Sequence, residues 1–200
     1  MTDWDARYKA GEMPWEKGHA APPLVEAMEI LESVIWGSGP ILVPGCGYGH
    51  DVRALEALGV PVVGMDLSET AIAKAQKFPS AGLSSFKVGD FLDGEMDSTQ
   101  FSALWEHTCY CAIHPSERDR YAMSAAKCIR SGGLLAGVFF LNPFDPEDCS
   151  EGPPFPATQE EIIARFAPWF EWVDGWVPCR AYPGRENREW LGIFRRLANP

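Results

Sequence analysis

Val43-Pro44-Gly45-Cys46-Gly47-Tyr48-Gly49-His50-Asp51 is the stretch on which the fold turns. Its three alternate glycines follow the apolar run Ile41-Leu42-Val43 and open a helical segment over 51–58, with Gly59 behind it as a C-cap. Strand, glycine loop and helix in that order mark a ligand-binding loop, because residues without a Cβ let the backbone approach a bound molecule closely. Residues 60–65 supply the next strand, so the whole reads as a β-α-β unit.

The alternation continues outward. Ser68 caps a helix over 69–77, and Phe86 and Val88 mark a third strand that ends at Asp90. A fourth strand spans 101–108. The next helix runs from Pro115, which suits a first turn, to about residue 129, where Gly132-Gly133 is expected to stop it. Residues 134–141 read as a strand buried on both faces. The segment 142–157 carries five prolines and reads as a long loop, a lid or pocket wall. Thr158 with Glu161 forms a capping box for a helix over 158–166, and 170–177 and 188–197 look like the two strands of a closing hairpin. Upstream, Leu24, Met28, Leu31 and Ile35 predict a helix over 22–35.

The expected fold is therefore α/β and doubly wound: a Rossmann-like, mostly parallel seven-stranded sheet with helices on both faces and an antiparallel C-terminal hairpin. One domain is expected over 1–200. Residues 1–40 form an N-terminal cover, 41–141 a nucleoside-binding core, and 142–200 the lid loop, helix and hairpin.

Composition narrows the partners. The chain has 200 residues with 17 Lys plus Arg against 28 Asp plus Glu, a formal charge of -11 that repels phosphate backbones and anionic lipid. Neither nucleic acid nor membrane is expected as a partner. The longest apolar stretch, 132–141, is half of the roughly 20 residues a membrane span needs. The N-terminus lacks the basic segment and apolar core of a signal peptide, so a cytoplasmic location and six free cysteines are expected.

Ligands on such sheets bind beyond the carboxyl ends of the strands. Gly45, Gly47 and Gly49 line that end, and Asp66, with Leu67 beside it, follows Gly45 by 21 residues at the end of the second strand. An acid there accepts hydrogen bonds from ribose hydroxyls. Dinucleotide loops space their glycines G-x-G-x-x-G. The tighter G-x-G-x-G favours S-adenosylmethionine, which has no pyrophosphate to cradle, over a nicotinamide cofactor. Asp90 and Phe91 would then meet its adenine.

Four segments carry a specific resemblance: Trp4-Asp-x-x-Tyr8-x-x-Gly11-x-x-Pro14-Trp15-x-x-Gly18, the loop from Leu42 to Asp51, Cys111-Ala-Ile-His-Pro115-x-x-Arg118, and Gly152-Pro-Pro-Phe155. Together they resemble the thiopurine S-methyltransferase superfamily, and within it the branch of small thiol and halide methyltransferases. The resemblance implies a class I methyltransferase fold, S-adenosylmethionine as methyl donor, and an aromatic N-terminus folded over it through Trp4, Tyr8 and Trp15. Aromatic faces suit a sulfonium cation. Gly45, Asp66, Asp90 and Phe91 carry over as cofactor residues, and Glu106 aligns with an acid in relatives. His107 stands where relatives contact the cofactor with Tyr or Arg. This His departs from the pattern, and it either bonds the cofactor or faces the substrate; imidazole titrates near neutrality, so activity should depend on pH.

The implied reaction is methylation of sulfide or methanethiol, with halide or thiocyanate also in reach. The alternatives are a thiopurine or selenium and tellurium oxyanion acceptor, or binding of S-adenosylmethionine without turnover. A soft anion needs no general base, whereas a thiol of pKa about 8.5 is helped by a positive group or proton acceptor. His107, His114 and Arg118 are the candidates, Arg118 either steadying an anion or pairing on the surface with Glu117 or Asp119's neighbourhood. From the lid, Asn142, Phe144 and Phe155 suit a small, poorly hydrated acceptor. His107, Cys109 and Cys111 alternate, with His114 nearby, but their spacing is not that of a zinc finger and no metal is expected.

Overall fold

At the centre lies β1 (Ile41–Pro44), buried at all four positions and parallel to both neighbours, β2 (Val62–Asp66) and β4 (Phe101–His107). Outside β2 runs β3 (Ser84–Val88), and outside β4 runs β5 (Ile129–Phe140), also in parallel. The chain then turns back. β7 (Glu189–Arg196) lies antiparallel on β5, and β6 (Phe170–Trp176) antiparallel on β7. The order is β3-β2-β1-β4-β5-β7-β6, so strand order reverses between β1 and β4 and a crevice opens beyond Pro44 and His107. The structure, a computed structural model, describes residues 2–30, 39–94, 101–145 and 152–198.

Side chains alternate across the sheet and build two cores. On one face Ile41, Val43, Ala103, Trp105, Val138 and Leu191 meet Leu24 and Ala27 of α2 (Pro22–Ile30) and Val52 and Leu55 of α3 (His50–Leu55). On the other, Leu42, Leu104, Leu135, Phe139 and Trp190 meet Tyr121 and Ala125 of α5 (Arg118–Cys128) and Ile162 and Phe166 of α6 (Gln159–Phe166). Each Leu, Ile, Val or Phe among them contributes roughly 1.5 to 3 kcal/mol by its burial.

The local signals act as their chemistry predicts. The Ser68 hydroxyl accepts from the Ala71 amide to start α4 (Glu69–Ala75), Thr158 does the same for α6 through Glu161, and Gly59 closes the turn after α3 with a φ of 74°. α2 is described as far as Ile30; Leu31 and Ile35 lie outside the described residues. The helix end falls where expected, but the strand after it starts five residues early and the helix itself begins at Arg118, after a short 3-10 turn over Pro115–Glu117. α5 stops at Cys128, and Gly132-Gly133 sit inside β5. Ile129 already pairs with Phe101, and between that pair and Leu134–Ala103 the ladder is irregular, so the glycines absorb extra chain within a strand. Among the described residues no helix is long and apolar enough to cross a membrane.

Candidate active site

The glycine loop is a tight turn held by its own backbone. The Cys46 amide donates to the Met65 carbonyl and the Gly49 amide to the Cys46 carbonyl. Gly45 and Gly47 have φ of 60° and 52°, and both lack room for a side chain: a Cβ would stand 2.9 Å from Cys109 Cβ and 2.8 Å from the Tyr8 hydroxyl. The Gly47 amide donates to Asp66 Oδ2 at 2.8 Å, and the Ser68 amide to Oδ1 at 2.9 Å. Burial pushes the Asp66 carboxyl above its ordinary range, against those two donors. Asp90, at the next strand end, takes the Leu92 amide at 2.8 Å and caps the turn that carries Phe91.

α1 (Trp4–Ala10) covers this loop. Asp5 fastens it by accepting from the Ser68 hydroxyl at 2.7 Å and the Thr70 amide at 2.9 Å. Trp15 donates to the Tyr8 hydroxyl at 3.1 Å and meets the Trp4 ring edge-on at 5.3 Å, while the Arg7 guanidinium lies 4.6 Å from the Trp15 ring.

The end of β4 carries three unusual residues. His107 Nδ1 is 3.3 Å from Asp51 Oδ2, which also accepts from Trp105 Nε1 at 2.8 Å, while Asp51 Oδ1 accepts from the Ala21 amide at 2.7 Å. Burial opposes the Asp51 charge, yet bonding to His107, Ala21 and Trp105 holds its carboxyl below the ordinary range. The His107 ring stacks on Tyr182, centroids 6.0 Å apart, and its Nε2 is buried without a hydrogen-bond partner. Thr108 then reverses the chain with a φ of 63°, a conformation costing a β-branched residue about 1 to 3 kcal/mol. Glu106 is fully buried. It accepts from the Tyr110 amide at 2.8 Å and from the Tyr121 hydroxyl, and burial raises its pKa to about 7 despite those donors. Gly137 on β5 makes room for it, since a Cβ there would lie 2.6 Å from Glu106 Cβ.

The lid closes the far side. Phe155 donates its amide to the Cys111 carbonyl at 2.6 Å, and Arg118 reaches the Phe155 and Pro156 carbonyls at 3.0 Å each and Glu161 at 3.2 Å. Its guanidinium lies 4.6 Å from the Tyr110 ring centroid. Loop, roof and lid together line one half-open cavity of about 870 Å³.

Trp4, Tyr8, Trp15, Gly45, Gly47, Asp66, Leu67, Asp90, Phe91 and His107 all line that cavity, as do His114 and Phe155. Five expected residues do not, Phe144 of the lid among them. Gly49 sits behind the loop as the N-cap of α3. Glu106 is turned into the core, where it ties the turn after β4 to α5. Arg118 is 1% exposed and spent on lid carbonyls, so it neither steadies an incoming anion nor pairs on the surface; the surface pairs are Arg120 with Glu117 and Arg165 with Asp119. Asn142 is exposed, with its amide on the Arg188 carbonyl. Among the described residues no three of His, Cys, Asp or Glu stand together to hold a metal ion.

Asp51, Tyr182 and Arg185 line the cavity without having been singled out. Asp51 had only its place at the head of a helix as a signal. Tyr182 and Arg185 lie in the polar loop of the hairpin, where Arg185 pairs with Glu189 at 3.1 Å and lies 4.7 Å from the Phe140 ring.

The profile of the family described as thiopurine S-methyltransferase (TPMT) matches residues 1–174. The chain belongs to that family. Among relatives, the chain is 33% identical over 162 residues to a probable thiol methyltransferase 2 of Arabidopsis thaliana, covering 79% of this chain and 68% of that one. It is 30% identical over 201 residues to thiocyanate methyltransferase 1 of the same plant, covering 97% and 84%. In fold it is similar to a protein solved in work on the conversion of a disulfide bond into a thioacetal group during echinomycin biosynthesis, with TM-score 0.81, 24% identity, and 98% and 91% of the two chains covered. A SAM-dependent methyltransferase of Methanosarcina mazei superposes with TM-score 0.69 at 20% identity, covering 80% and 93%. As a member of the thiopurine S-methyltransferase family with the class I fold, the chain is an S-adenosylmethionine-dependent methyltransferase. Its residues fit that cofactor: carboxylates at the ends of β2 and β3 suit a nucleoside, side-chain-free cradles at Gly45 and Gly47 admit it, and an aromatic roof suits a cation.

Proposed function

We propose that this chain methylates the sulfur of a small thiol, with sulfide and methanethiol as the leading acceptors. When bound, S-adenosylmethionine supplies a methyl carbon on a positively charged sulfur, open to in-line attack by a soft nucleophile. In this reading Asp66 takes the ribose, with Leu67 beside it, Asp90 and Phe91 take the adenine, Gly45 and Gly47 pass the chain between them, and Trp4, Tyr8 and Trp15 cover the sulfonium end. One domain carries the activity, with 1–40 as cover, 41–141 as core and 142–200 as lid and hairpin. The acceptor is a small molecule and not a nucleic acid, in keeping with the charge of -11, and the working location is the cytoplasm.

The observation that carries this reading is the continuous cleft over the glycine loop. Its roughly 870 Å³ falls within the range of ligand sites and joins the Asp66 side to the Phe155 and His107 side under one roof. The relatives' names, thiol and thiocyanate methyltransferase, support a small sulfur acceptor. The test is a headspace assay with S-adenosylmethionine and, separately, sulfide, methanethiol, iodide and thiocyanate, with a thiopurine followed by liquid chromatography. Methanethiol and dimethyl sulfide are the expected products. Cofactor binding by calorimetry with no methylated sulfur product from any acceptor overturns the proposal.

A further inference from the structure

Alkyl thiols reach a site at neutral pH mostly protonated, since even a cysteine thiol has a pKa of about 8.5 and simple alkanethiols are weaker acids, whereas thiocyanate and halides arrive as anions. A site built for the first group needs a proton acceptor; a site for the second does not. We infer that His107 accepts the thiol proton, with Asp51 fixing its tautomer, and that this chain is therefore specialised for protonated thiols over preformed anions. The inference rests on the S-methyltransferase reading.

Five observations carry it. Asp51 is locked in place from two sides, by the Ala21 amide on Oδ1 and the Trp105 indole on Oδ2. A carboxylate only accepts, so with Nδ1 of His107 3.3 Å from Oδ2 the ring proton sits on Nδ1 and the neutral imidazole has its lone pair on Nε2. That Nε2 is buried and unpartnered in a residue that lines the cavity, so it is a base with nothing in the protein to occupy it. Tyr182 stacks on the ring and donates its hydroxyl to the His19 carbonyl at 3.0 Å, which stops the imidazole from turning away. Last, acidic side chains outnumber Arg7, Lys17 and Arg185 along the cavity wall, and Arg185 is already paired with Glu189, a lining unfavourable to an entering anion.

The step balances as follows. The S–H bond breaks and its proton moves to His107 Nε2; a sulfur lone pair forms the new bond to the methyl carbon; the methyl–sulfonium bond breaks with its electron pair remaining on the donor's sulfur, which becomes a neutral thioether. The imidazolium then returns its proton to water.

His107→Gln tests the base with acceptors graded in acidity at pH 7: an alkyl thiol, an aromatic thiol already mostly ionised, and thiocyanate. A general base is worth about 10²- to 10⁴-fold, so alkyl thiol turnover falls at least 100-fold, aromatic thiol turnover less than tenfold, and thiocyanate turnover least. Affinity for S-adenosylhomocysteine by calorimetry reports that the variant is folded. An equal loss for every acceptor, or no loss for the alkyl thiol, overturns the base; a wild-type kcat/KM higher for thiocyanate than for methanethiol overturns the specialisation. A second readout needs no turnover. Imidazole ¹⁵N resonances of the wild type show the proton on Nδ1 of His107, and Asp51→Asn mixes the tautomers; a proton on Nε2 in the wild type removes Asp51's positioning role. A wild type that methylates no sulfur acceptor sinks the functional reading itself, whereas thiol methylation that survives His107→Gln sinks only the base.

Discussion

Glu106, the chain neighbour of His107, and Asp51, 3.3 Å from its ring, are shifted in opposite directions, and the reason is what each faces for the burial it suffers. Asp51 bonds directly to the His107 imidazole as well as to Ala21 and Trp105; Glu106, fully buried against the neutral donors Tyr121, Tyr110 and Cys109, is pushed up to about 7 from 4.5. A carboxyl raised in the folded state contributes stability that is complete below 4.5 and lost as pH rises through 7, here about 3 kcal/mol in all. The Asp51 contribution runs the other way and is lost only below its unfolded value of 3.8, outside that window. Urea unfolding at pH 5 and pH 8 should therefore show the wild type weakening on the alkaline side by a few kcal/mol and Glu106→Gln weakening much less; equal slopes would show that Glu106 does not titrate there. Much of the site could be read locally, because glycine spacing and strand-end acids are set by neighbours in sequence. Glu106 was misplaced and Asp51 overlooked for the opposite reason: the partner of Asp51 is an indole 54 residues away, and the space for Glu106 exists only because Gly137 faces it from β5.

Among the elements, the lid depends on one buried side chain. Arg118 opens α5, yet its planar fork spans the Phe155 and Pro156 carbonyls and Glu161, 37 to 43 residues on. Replacing it with Met leaves these acceptors without their donor, and removing one partner of a buried charged network costs about 3 to 5 kcal/mol. Hydrogen exchange over 152–157 should rise in Arg118→Met, and the KM for the methyl acceptor with it, while S-adenosylhomocysteine affinity holds. Arg118→Lys should not restore the lid, because a point ammonium cannot serve both carbonyls and the carboxylate. Unaltered exchange over those residues in Arg118→Met would mean that the Phe155 amide on Cys111 holds the lid alone. This scale also separates what is legible from what is not. The apolar runs, caps at Ser68 and Thr158, and Gly59 predicted elements that exist, since their signals are complete within a few residues. The end of α5 was legible but the start of β5 was not, because pairing of Ile129 with Phe101 draws Gly132-Gly133 into the strand, and Arg118 misled because a helix position does not say what a lid will bring to it.

For the molecule as a whole, charge is the property that no single residue carries. A formal charge of -11 surrounds a cavity whose own lining holds more acids than bases, so the field at the mouth favours cations and resists anions. The methyl donor carries a net positive charge, an alkyl thiol none, and thiocyanate a negative one, so the three should answer differently to screening. Raising ionic strength from 0.01 to 0.15 M shortens the Debye length from about 30 Å to about 8 Å. With sodium sulfate as the added salt, which offers no competing acceptor, kcat/KM for thiocyanate should rise several-fold, that for methanethiol should stay flat, and the KM for S-adenosylmethionine should increase. Steady-state rates at four ionic strengths measure all three. A thiocyanate rate that falls with salt would show that Arg7, Lys17 and Arg185 outweigh the net charge at the mouth, and that the acceptor side attracts anions on its own account.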